Sequence, residues 1–187
     1  RPFPWSNMLD VDEQNNIRPF SDQLAIKGPG HLEVDGERFM IVPASLLERF
    51  VSTCLPHAPK VNDANKIQFP NTWSESDNSV LSVIVSSVVD IFSRSERSVY
   101  ITDMKSWDAY LRAYLFDYGW GSAILTSYDL NSFETQLTLP KASLFPFSIG
   151  LIAGIWERAH GREFKLQINE TNDSIQVVIS SLLEYEN

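Results

Sequence analysis

The chain of 187 residues has a single cysteine, Cys54, which excludes an intrachain disulfide and a cysteine-rich zinc cluster. Histidine is almost as scarce. His31, His57 and His160 lie far apart, and neither a His-x-x-x-His nor a Cys-x-x-Cys pair occurs, so no metal site is expected. Basic residues are also few: 15 Lys and Arg against 24 Asp and Glu leave a net charge of −9. That field repels phosphate backbones and anionic lipid, and no nucleic-acid partner is expected. No apolar run reaches the roughly 18 residues of a spanning helix, so no transmembrane segment is expected. The lone thiol suits a reducing, cytoplasmic setting.

What remains is a globular composition, 43% hydrophobic and 21% charged, sufficient for one domain. Residues 1–29 differ from the rest. They hold Pro2, Pro4, Pro19 and Pro29, an acidic-polar run and the aromatics Phe3, Trp5 and Phe20. They read as an irregular N-terminal arm, with residues 30–187 as the domain. Phe3 and Trp5 are candidate contacts for the domain or for a partner.

Within the domain, 31–34 and 37–42 flank Asp35-Gly36 and predict a β-hairpin. Pro43 opens a helix over 44–55, with Leu46, Leu47, Phe50, Val51 and Cys54 on one face, which makes Cys54 a core thiol rather than a nucleophile. Residues 56–76 read as a loop. A helix follows over 77–94, capped by Asp77, Asn78 or Ser79, and then a helix striped by Met104, Trp107, Leu111, Tyr114, Leu115 and Tyr118 and stopped at Gly119. Strands are expected over 120–128 and 133–140, a helix over 144–160, and a second hairpin over 164–168 and 175–179. The order β-β-α-α-α-β-β-α-β-β predicts an α+β fold, an antiparallel four-stranded sheet with helices packed on one face.

Few residues advertise chemistry. His160, at a helix C-terminus, reads as a surface or capping histidine favoured by the helix dipole. Gly150 and Gly154 form a small-residue face suited to close packing on a sheet or helix, or to an interface. The aromatics are the richest feature. Trp107, Tyr110, Tyr114, Phe147 and Trp156 either fill a core or line an apolar pocket with tyrosine hydroxyls as its polar groups. No nucleotide, flavin or iron–sulfur motif is present, so no cofactor and no catalytic residue is assigned.

Three stretches carry a family resemblance. They are Phe39-Met40-Ile41-Val42-Pro43-Ala44-Ser45-Leu46-Leu47, then Tyr118-Gly119-Trp120-Gly121, and then Gly150 through Gly161 followed by a strand and Asn169-Glu170-Thr171. Together with the element order, over about residues 31–180, they resemble the 4-vinyl reductase domain family. That family is similar in fold to the TRAPP vesicle-tethering subunits and to haem-binding nitric-oxide sensors. It includes ligand-sensing domains of aromatic-responsive transcription activators and a protein linked to bacteriochlorophyll vinyl reduction. The resemblance implies a helix-on-sheet fold, a tendency to dimerise and a hydrophobic pocket between helices. Members commonly bind zinc through cysteines after the final helix; the matching region here, Glu170 to Val178, has none. The histidine and the Tyr-x-Ser-x-Arg sequence of the haem branch are absent as well.

The sequence therefore places first a non-catalytic scaffold that docks a protein partner, as a dimer, through Phe3, Trp5, Gly150 and Gly154. Second is a sensor or carrier of a flat hydrophobic small molecule, an aromatic or a tetrapyrrole. Third, by analogy with the family alone, is an accessory to tetrapyrrole reduction.

Overall fold

The structure is a computed structural model, described for residues 24–28, 31–34, 37–39, 42–54, 66–94, 98–141 and 144–183. It is α+β with two sheets. The first is antiparallel and three-stranded: β1 (Leu24–Gly28), β2 (His31–Val34) and β3 (Glu37–Phe39), in that order. Val34 pairs with Glu37 across a two-residue connection, the spacing an Asp-Gly hairpin requires. Strand β1 falls inside the stretch read as an irregular arm; it pairs with β2 from Leu24↔Val34 to Gly28↔His31. Helix α1 (Ala44–Cys54) follows, with Leu47, Val51 and Cys54 half-buried and Leu46 and Phe50 exposed, so its apolar face is not core and Cys54 is not a core thiol.

The second sheet is five-stranded and mixed, ordered β4 (Ile67–Gln68), β7 (Phe164–Glu170), β8 (Ser174–Ser181), β6 (Thr135–Pro140) and β5 (Ile124–Tyr128). This corrects the expected four-stranded antiparallel sheet. The expected first hairpin belongs to the other sheet, and β4, within the expected loop, adds a parallel edge to β7 through Ile67↔Leu166. A two-residue strand has no periodicity to read in sequence. It is held by contacts: Ile67 is buried, and Lys66 reaches Glu157 at 3.4 Å while lying 4.3 Å from the centroid of the Phe164 ring.

Alternation then decides which sheet face is covered. Phe164, Leu166 and Ile168 on β7, Ile175, Val177 and Ile179 on β8, and Leu137 and Leu139 on β6 are buried, while the intervening residues are not. Helix α4 (Phe145–His160) lies over β7 and β8, α3 (Met104–Leu111) over β5, and α2 (Glu75–Arg94) along α4. The cap of α2 is Ser74 rather than a residue of 77–79. Its hydroxyl donates to the Asp77 carboxylate at 2.7 Å and accepts from the Asp77 N–H at 3.1 Å. Valine-rich though it is, α2 runs for 20 residues and buries Val80, Leu81, Ile84, Val85, Val89 and Phe92 at helical spacing. Among the described residues, no helix is long and apolar enough to cross a membrane.

Candidate functional site

Helix α3 delivers the first aromatic. Asp103 caps it in a reciprocal box with Ser106: the carboxylate accepts the Ser106 N–H at 2.8 Å and the Ser106 hydroxyl accepts the Asp103 N–H at 3.1 Å. Trp107 is completely buried, and Tyr110 and Leu111 with it. The helix then widens into a π-helical turn, Arg112–Phe116, which keeps Tyr114 and Leu115 buried before Gly119 takes a positive φ of 71° and ends it. Such turns are rare and are frequent at functional sites.

The five aromatics that the sequence singles out fall into three groups. Trp107 meets Tyr128, at the end of β5, edge-on with ring centroids 6.3 Å apart. Tyr128 stacks on His160 at 5.9 Å, and Trp156 meets the same imidazole edge-on at 4.9 Å. Trp107 and Trp156 are thus joined through two residues that were not singled out as pocket candidates. Tyr110 and Tyr114 form a second group: their rings stack at 5.9 Å, Tyr114 meets Phe92 edge-on, and the Tyr110 hydroxyl accepts the Tyr100 N–H at 2.9 Å. Phe147 belongs to neither group. It stacks on Trp120 at 5.4 Å, near the N-terminus of α4, where the Ser148 hydroxyl donates to the Trp120 carbonyl. Nine residues separate it from Trp156, about 14 Å along a helix axis.

The Trp107–Tyr128–His160–Trp156 cluster is closed by Phe133, whose ring stacks on His160 at 4.4 Å. Phe133 has a φ of 59°, the left-handed region that bulky residues avoid. Its surroundings hold it there: the carbonyl accepts the Trp156 indole N–H at 2.8 Å, and the Arg162 guanidinium lies 5.0 Å from its ring centroid.

Electrostatically this corner disfavours charge. Burial, with a smaller contribution from the Arg162 cation, lowers the pKa of His160 to about 4, so the imidazole is neutral at pH 7. The dipole-stabilised surface histidine expected from sequence is therefore corrected. Burial raises the pKa of the Tyr128 phenol as well. Three polar atoms on these touching rings are buried without a hydrogen-bond partner: Trp107 Nε1, the Tyr128 hydroxyl and His160 Nε2. Leaving such a group unmet costs about 1–3 kcal/mol. The sequence did carry one signal for this group, since Trp156 and His160 are four apart on one helix face.

The interface candidates fare differently. Phe3 and Trp5 lie outside the described residues. Gly150 and Gly154 are buried against Val88 and Phe92 of α2, so this face packs within the chain. Among the described residues no group of three or more His, Cys, Asp or Glu side chains gathers as a metal set.

No protein-family model matches the chain, and no curated protein does. A solved structure does match: the crystal structure of the phenol-responsive sensory domain of the transcription activator PoxR with phenol. The TM-score is 0.57, over 94% of this chain and 93% of that one, at 11% sequence identity. The likeness is one of fold. It extends over nearly the whole of both chains, so the overall fold is shared. It agrees in fold with the ligand-sensing branch of the resemblance read from the sequence.

Proposed function

We propose that this chain is a sensor or carrier domain for a flat hydrophobic small molecule, a single aromatic ring in size, and that it binds rather than catalyses. The observation that carries the reading is the aromatic corner between α3, the C-terminal half of α4 and the β5–β6 end of the sheet. There, polar atoms of Trp107, Tyr128 and His160 are buried and unmet. Buried polar atoms of this kind call for a partner, and a ligand site supplies one.

The fold likeness to a phenol-responsive sensory domain favours this reading over the protein-docking scaffold that the sequence placed first. The glycine face counts against docking through Gly150 and Gly154, because α2 occupies it.

The test is a titration with toluene, phenol and benzene, followed by tryptophan fluorescence and by thermal unfolding. At least one ring compound should quench saturably and raise the melting temperature, with stabilisation reaching about 2.7 kcal/mol at one hundred times its Kd. Cyclohexanol, similar in bulk but not flat, should do so more weakly. Absence of any response to all ring compounds at millimolar concentration overturns the reading.

A further inference from the structure

We infer that the His160 imidazole is a built-in plug: it fills the place of a planar ring against Phe133, Tyr128 and Trp156, and a flat aromatic molecule enters by displacing it toward solvent at the end of α4. The inference rests on the binding function proposed above and adds an autoinhibitory contact within the same site.

The corner is filled, and what fills it is a flat ring of the chain's own. The imidazole lies nearly parallel to Phe133, 13° off with centroids 4.4 Å apart, and to Tyr128, 21° off at 5.9 Å. Trp156 meets it edge-on at 4.9 Å. These are the stacked and edge-on contacts that an aromatic ring of similar size would make in its place. The walls are fixed by bonds that do not involve the plug. The Trp156 indole N–H is committed to the Phe133 carbonyl at 2.8 Å, and Tyr128 is paired with Thr135 across the sheet.

The plug itself is weakly anchored. Its Nε2 is buried without a hydrogen-bond partner, a loss that rotation into water repairs. A hydrocarbon ring in the same place brings no polar atom to satisfy. His160 is half-buried and is the last residue of α4, ahead of Gly161, whose φ of 61° ends the helix. Turned outward, the side chain stands at the helix C-terminus, where the dipole favours its protonated form.

Inward, the imidazole is neutral, with a pKa lowered by burial and by the Arg162 cation to about 4. The other titratable group on it is the Tyr128 phenol, which burial keeps neutral. The carboxylates of the β5–β6 turn are committed elsewhere: Asp129 to the Asn131 N–H and the Ser132 hydroxyl, and Glu134 to the Gln136 amide. From α3, the uncharged Trp107 stands beside Tyr128. Displacement therefore couples binding to proton uptake. A chain with its plug expelled regains a histidine pKa near the ordinary 6.5, so affinity rises as pH falls from 6.5 toward 4.

Toluene, which carries no titrating group, is the probe. Calorimetric titrations at pH 7 and 5.5, in two buffers of different ionisation enthalpy, measure both affinity and proton uptake. Wild type should bind roughly five- to ten-fold more tightly at pH 5.5, taking up about one proton there. His160→Ala removes the plug and should bind about ten-fold more tightly than wild type at pH 7, with no dependence on pH. His160→Phe keeps a ring that cannot charge, so it should bind more weakly than wild type and equally at both pH values. That variant decides the matter if the alanine chain does not fold. Wild-type binding that is the same at both pH values, without proton uptake, overturns the plug and leaves the binding function standing. So does undiminished affinity in His160→Phe. Binding by His160→Ala alone, with none to wild type at either pH, makes the imidazole a permanent filler and also overturns the plug. If toluene, phenol and benzene all fail to bind wild type and both variants, the proposed function fails and takes this inference with it.

Discussion

Gly150 of α4 and Val88 of α2 approach so closely that a Cβ on the glycine would stand 2.7 Å from the valine Cβ, and 3.0 Å from the Val85 carbonyl oxygen. That contact lets two helices cross with their backbones nearly touching, and a backbone carbonyl cannot step aside as a side chain can. Gly150→Ala should therefore destabilise the chain by about 1–3 kcal/mol through overpacking. At Gly154 the neighbour is the Phe92 side chain, at 3.0–3.1 Å, which can shift. Gly154→Ala should cost less. Urea unfolding of both variants checks the order, and a Gly150→Ala chain as stable as the wild type would contradict the close packing.

His160 makes stability depend on pH. Its folded pKa of about 4 lies below the unfolded value of 6.5, so between these values the unfolded chain binds more protons than the folded one. The stabilisation is complete above pH 6.5 and falls progressively as pH drops toward 4. His160→Phe should flatten that part of the profile. The Glu170, Asp103 and Asp129 carboxyls are also shifted down, each chiefly by hydrogen bonds, and their contribution disappears at lower pH, below their ordinary values. Denaturation midpoints at pH 7, 5.5 and 4.5 for wild type and variant separate the two effects.

Trp156→Phe removes the indole N–H from the Phe133 carbonyl and leaves a smaller ring in a fully buried position. The Thr135 hydroxyl, 3.1 Å from the same carbonyl, still supplies one donor. The loss should be on the order of 2–3 kcal/mol, mostly from the cavity. Since that bond helps to hold Phe133 at its positive φ, the Phe133–His160 stack should loosen. A rise in the His160 pKa, read from its ring proton shifts by NMR, is the expected signature.

Asp103→Ala breaks the capping box at the start of α3. The effect on global stability should be smaller than that of Gly150→Ala, because the box is exposed. Amide exchange in the first turn, at Ser106 above all, should accelerate clearly, since the Ser106 N–H loses its carboxylate acceptor while the Ser106 hydroxyl still accepts from the N–H of residue 103. Unchanged exchange there would show that tertiary packing of Trp107 alone holds the turn.

How much of this was legible beforehand depends on how local each signal is. The helix over Phe145–His160, the strands Phe164–Glu170 and Ser174–Ser181 and the stop at Gly161 follow from periodicity and a helix-ending glycine, which need only neighbours in the chain. Strand β4 was not legible, because Ile67 and Gln68 become a strand only by pairing with Leu166 and Gln167, about a hundred residues away. The aromatic candidates do not gather in one place. Trp107 and Trp156 do share a cluster, but Phe147 sits with Trp120 near the opposite end of α4.

By itself, the sequence determined the α+β class, the helices and most strands, and the concentration of aromatic residues, because residue spacing and composition state these directly. Only the tertiary structure decided that the helix-end histidine is half-buried and neutral, that its partners are Tyr128, Phe133 and Trp156, and that the glycine face serves the chain's own α2. The reason is physical. A side chain's charge state and unmet hydrogen bonds depend on what is packed around it, and here those neighbours come from α4, β5 and the β5–β6 turn, which meet only when the sheet and helices assemble.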